Sequence, residues 1–127
     1  MSPESLQRAI WMARDLVKQF QVPCLSPTHH DDAKITIGYG RKAMWNEDAY
    51  TAEYAEMALV NDLEMRAAKM PGGLQIRELA GMIATEHLGG VNCRELGRHG
   101  TVNYLQSSTE PWADTVLFVF LQGTITP

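Results

Sequence analysis

The sequence predicts an α+β fold that is mostly helical. Three observations carry this: long segments with apolar residues at three-and-four spacing, one short alternating strand, and Pro or Gly breaks between them. The 127 residues, 45% hydrophobic and 20% charged, suit a single domain over 1–127 with one core.

From Pro3 to about Phe20, Leu6, Ile10, Ala13, Leu16, Val17 and Phe20 form one apolar helical stripe. Ser2 is placed to cap this first helix, and Pro3 suits its first turn. Pro23 and Pro27 then interrupt the chain, and Ser26-Pro-Thr-His-His-Asp-Asp reads as an exposed loop. In Lys34-Ile-Thr-Ile-Gly-Tyr-Gly-Arg, the residues Ile35, Ile37 and Tyr39 alternate with Thr36, Gly38 and Gly40, the period of a strand. Gly38 and Gly40 mark a bend or a close backbone approach.

A second helix is expected from a Thr51 cap to about Lys69. Glu53 and Glu56 stand early and Arg66 and Lys69 late, matching the helix dipole, and Pro71-Gly-Gly stops it. A third runs from about Leu74 to Leu88, with Gly89-Gly90 as its stop. Asn103 to Thr109 reads as a short polar loop, and Ser107-Ser-Thr-Glu-Pro starts a last element carrying Trp112, Val116, Leu117 and Phe120. The run Val116-Leu-Phe-Val-Phe-Leu is apolar on all sides and fits a buried strand or a covered helix equally well.

Composition excludes several function classes. The net charge is -4, and the eleven Lys and Arg are scattered, so no basic stripe offers phosphate neutralisation and nucleic acid is not an expected partner. No segment approaches about 18 consecutive apolar residues, so no membrane span is expected. The first residues lack the basic flank and apolar stretch of a secretory signal, which predicts a product held in the bacterial cytoplasm. Cys24 and Cys93 lack CxxC spacing and read as buried free thiols. No motif calls for a cofactor.

Two segments together resemble a known family. Leu16-Val-Lys-Gln-Phe-Gln, a loop, and then Ile35-Thr-Ile-Gly-Tyr-Gly resemble the opening of phage-type lysozymes, the lambdoid endolysins and T-even phage lysozymes. In that family a helix ends near Leu-Ile-Lys-x-Phe-Glu-Gly and a loop leads to a Thr-Ile-Gly-Tyr-Gly strand. Thr51-Ala-Glu-Tyr-Ala-Glu-Met-Ala-Leu resembles the start of the family's long helix. The similarity covers about residues 16–69, with only an echo in Leu79-Ala-Gly-Met-Ile-Ala. It implies a lysozyme-like fold: a small sheet between helix 1 and a long helix 2, then a reduced helical lobe.

The resemblance also places the catalytic positions. Gln21 stands where the family has its proton-donating glutamate, His30 where an aspartate assists the water, and Thr36 at the threonine that positions that water. Only the threonine is kept. A glutamine amide has no proton to give to a glycosidic oxygen, and general acid catalysis alone contributes about 10²- to 10⁴-fold. Val22-Pro23 also replaces the family's glycine. Asp31 and Asp32 are candidate substitute carboxylates, while Asp15, six residues before Gln21, reads as a solvated helix charge.

His29-His-Asp-Asp has metal-ligating residue types, but four adjacent residues rarely converge on one ion, so a solvated turn and no metal are expected. Glu86-His87 lacks the second histidine of a zinc helix, and His87 and His99 read as satisfied surface or core histidines. Trp11, Trp45 and Trp112 are core candidates before they are a sugar platform.

Three functions follow. The first is a non-hydrolytic phage or prophage protein that uses the old cleft to bind a host or phage macromolecule. Contacts are then expected from Gln21, His29, His30, Tyr39 and the 41–50 segment with Met44 and Trp45. The second is a working muramidase using Asp31 or Asp32 with Thr36. The third is a passive peptidoglycan-binding or virion component.

Overall fold

The computed structural model describes residues 1–29, 35–44 and 48–125. In chain order its elements are α1 (Pro3–Phe20), β1 (Cys24–His29), β2 (Ile35–Gly38), β3 (Arg41–Lys42), α2 (Ala52–Ala68), α3 (Ile76–Gly89), α4 (Cys93–Ser107) and α5 (Ala113–Ile125). The three strands form one antiparallel sheet in the order β1-β2-β3.

α1 forms as its sequence predicts. The Ser2 hydroxyl accepts from the Ser5 N–H, and Ala9, Ile10, Ala13, Leu16 and Val17 make the buried stripe. α2 is capped by Thr51 in the same way, and α3 ends at Gly90 in the left-handed conformation.

Two expectations are corrected and one open alternative is resolved. Residues 26–29 belong to β1, not to a loop: Thr28 faces Thr36 and His29 faces Ile35 across the ladder. Pro27 is tolerated because β1 is an edge strand whose register shifts between Cys24 and Thr28. Residues 103–107 lie in α4, a helix the sequence reading missed altogether. Its interior stripe is Cys93, Thr101 and Leu105, and at the intervening i+4 position Gly97 leaves helical geometry with φ 68°, so no continuous apolar period is visible. The apolar run from Val116 is helical, because burial follows i,i+4 spacing: Trp112, Val116 and Phe120 are inside while Phe118 is exposed.

α3 is the centre of the molecule. It contacts each of the other four helices, and every residue from Glu78 to Glu86 is buried. A helix covered on all sides must be apolar on all sides, as Leu79-Ala-Gly-Met-Ile-Ala is. Gly81 allows a close approach of α5, since a Cβ there would stand 2.9 Å from Phe120 Cβ and 3.1 Å from its Cα. Cys93 is buried among Met82 and Phe120, and burial pushes its thiol up to about 11; Cys24 is half-buried, and both thiols are free. Among the described residues, no helix is long and apolar enough to cross a membrane.

Candidate functional site

The sheet and the C-terminus of α1 meet at the β2–β3 turn. Ile37 pairs with Arg41, so Gly38, Tyr39 and Gly40 form the turn, with φ of 64° at Gly38 and 82° at Gly40. Only glycine enters that region without strain. Gln21, the C-cap of α1, lays its side chain on this turn: a Cβ at residue 40 would lie 3.1 Å from Gln21 Oε1. That oxygen is buried and has no hydrogen-bond partner among the described residues.

Thr36 lies one residue before the fully buried Ile37, so strand alternation sends its side chain to the opposite face of the sheet from the core. It pairs with Thr28 on one side and Lys42 on the other. Tyr39, expected as a binding residue, has a side chain only 7% exposed and packs in the main core. Met44, by contrast, is 68% exposed. His30, Asp31, Asp32 and Trp45 lie outside the described residues.

Beside the turn is an open cleft of about 390 Å³, lined by Gly40 of the turn, Arg41 and Lys42 from β3, Asp62, Met65 and Arg66 from α2 with its C-cap Lys69, Glu86 and His87 from α3, and Arg94 from α4. Its two carboxylates are both engaged. Arg41 Nε lies 3.0 Å from Asp62 Oδ2, and the same guanidinium donates to the Tyr50 hydroxyl at 3.1 Å. Arg66 donates to Glu86 Oε1 at 3.0 Å, and the Cys93 N–H donates to Glu86 Oε2 at 3.1 Å. Donors therefore meet both oxygens of Glu86.

His87 fixes the cleft to the sheet. Its Nε2 is 2.6 Å from the Tyr39 carbonyl oxygen. A carbonyl can only accept, so Nε2 carries the hydrogen and Nδ1 holds the lone pair. Burial lowers the His87 pKa from 6.5, outweighing the Tyr39 bond, which raises it; the Arg66 charge lowers it further. The ring is therefore neutral at pH 7. Its Nδ1 and the Nε of Arg66 are buried with no hydrogen-bond partner among the described residues. Each such group costs about 1–3 kcal/mol until something supplies the missing bond.

Sequence reasoning passed over Glu86 and His87 because it tested them only against a zinc motif. The available signal was different: Glu78 and Glu86 flank the apolar run Leu79-Ala-Gly-Met-Ile-Ala, and a carboxylate buried beside such a run requires a partner. Both have one, Arg98 at 2.6 Å for Glu78 and Arg66 for Glu86. Asp15 is exposed and paired with Arg14, as a surface charge should be. The two described tryptophans, Trp11 and Trp112, form no common platform. Trp112 is in the core, whereas Trp11 is 50% exposed with the Arg14 guanidinium 5.7 Å from its ring, contrary to the expectation of a core role.

No protein-family model matches the sequence, and no curated protein does either. A solved structure does: the muramidase domain of SpmX from Asticaccaulis excentricus aligns with a TM-score of 0.65 and 17% identity, over 91% of this chain and 95% of that one. The chain has a lysozyme-like fold. At this identity the likeness is one of architecture: five helices around a small three-stranded antiparallel sheet, with the cleft beside the sheet.

Proposed function

We propose that this chain is a lysozyme-fold protein that engages a peptidoglycan-type glycan in its cleft without hydrolysing it. The single observation behind this reading is Gln21. The side chain at the end of α1, packed on the Gly40 turn at the edge of the cleft, is an amide. The resemblance to phage-type lysozymes puts the proton donor at that position, and the two carboxylates lining the cleft are occupied by Arg41 and Arg66. The walls are rich in hydrogen-bonding and charged groups rather than aromatic anchors, which suits a hydroxyl- and amide-bearing polymer better than a protein hot spot.

A second reading, capture of a host or phage protein, has the exposed Met44 in its favour. In that case Trp45→Ala abolishes binding to the partner while leaving the fold intact.

The deciding measurement is release of soluble muropeptides from purified peptidoglycan, by the natural chain and by a Gln21→Glu, His30→Asp double variant. The natural chain is expected to release nothing above a protein-free blank while still co-sedimenting with the polymer. Release that disappears in Asp31→Asn or Asp32→Asn would overturn the reading in favour of a working muramidase. Activity gained by the double variant would be consistent with a glycan strand still reaching the old catalytic positions.

A further inference from the structure

The cleft concentrates positive charge on an acidic protein. The whole chain carries -4, yet five cationic side chains and two carboxylates line this one surface. Arg41 and Arg66 are matched by Asp62 and Glu86. Lys42, Lys69 and Arg94 pair with no carboxylate among the described residues; Arg94 is held only by its Nε bond to the Asn92 side chain at the cap of α4. These three come from β3, the C-cap of α2 and α4, so their convergence is a product of the fold and not of a charge run in the sequence.

Like charges gathered on one wall repel each other, and an anion relieves that repulsion. Next to them, the buried Arg66 Nε lacks an acceptor and the neutral His87 Nδ1 lacks a donor. A ligand complementary to this wall brings an oxyanion together with hydroxyl or amide N–H groups. A plain neutral sugar supplies only the second.

We propose that the wall formed by Lys42, Arg66, Lys69 and Arg94 is an anion site that takes a carboxylate carried on the glycan ligand, such as that of an acid or peptide substituent on an amino sugar. The proposal rests on the glycan reading for the identity of the carrier, but not for the anion site itself. Binding should weaken with salt, because the three unpaired cations are exposed to solvent and their attraction is screened. The neutral part of the ligand contributes selectivity through hydrogen bonds that salt does not screen.

The test is an NMR titration of the isotopically labelled full chain, following the Arg66 Nε–H and Gly40 amide signals. Three probes are used: N-acetylmuramoyl dipeptide, neutral chitotriose and inorganic phosphate. A Lys42→Glu, Lys69→Glu variant is run in parallel, since both residues are exposed and removing them leaves no buried partner behind. The expected result is tighter binding of the dipeptide than of chitotriose. The double charge reversal should cost roughly tenfold in that affinity and remove its salt dependence.

If the dipeptide and chitotriose bind equally and independently of salt, the anion site is wrong and the glycan reading stands. If neither glycan binds but phosphate moves the same signals, and does so only in the natural chain, the anion site stands and the glycan reading fails. If no probe moves them, both are overturned.

Discussion

His87 is held neutral by burial while its Nε2–H is committed to the Tyr39 carbonyl, and this has a consequence for stability. Its folded pKa lies below the 6.5 of a free imidazole, so just below that pH the unfolded chain binds a proton that the folded chain refuses. Stability from this residue is complete above 6.5 and is lost as pH falls through that value toward the folded pKa. His87→Gln keeps a donor for Tyr39 but does not titrate. Urea unfolding at about pH 7.5 and about pH 5.5 should therefore show a smaller loss of stability in the variant than in the natural chain. Equal losses would show that the imidazole is not excluded from charging. At this scale the sequence was legible where a residue has a local job. Ser2 and Thr51 cap because their hydroxyls reach the N–H three residues on, and Gly38 and Gly40 turn the chain because they alone tolerate positive φ there. The partners of His87 and Glu86, Tyr39 and Arg66, were illegible because they are 48 and 20 residues away.

The same contrast holds for whole elements. α1, α2 and α3 announce themselves through periodicity and caps, whereas α4 hides behind Gly97 and Gly100 and a surface of Arg94, Glu95, Arg98 and His99. β1 was read as a loop because its pairing to β2 is nonlocal, and its Pro27 and polar side chains suit an edge strand as well as a turn. The contact between α3 and α5 was equally invisible, and within it Gly81 is pressed on Phe120. Gly81→Ala gains about 1 kcal/mol of helix propensity but drives a methyl into backbone at 3.1 Å, and overpacking of that kind costs about 1–3 kcal/mol. A net loss on the order of 1 kcal/mol is expected from the urea midpoint. A stabilised variant would mean that α5 slides away without resistance.

Across the whole molecule, Glu86 joins what the helices would otherwise leave separate. From α3 it accepts from Arg66 on α2 and from the first N–H of α4 at Cys93, while its neighbour His87 reaches the sheet through Tyr39. One turn of α3 therefore ties three other parts of the fold to the cleft wall, and the binding role proposed for this cleft needs its walls fixed relative to each other. Glu86→Ala removes the acceptor and leaves the Cys93 N–H buried without a partner. The Arg66 side chain, a third exposed, can turn to water and recover part of its solvation. The expected loss is therefore about 3 kcal/mol, at the lower end of what breaking a buried pair costs. Glu86→Gln retains one carbonyl acceptor for either donor and should lose roughly half as much. Chemical denaturation of both variants measures this directly. If alanine and glutamine cost the same, the charge on Glu86 carries the effect; if neither costs more than about 0.5 kcal/mol, the cleft wall is held by apolar packing of α3 alone.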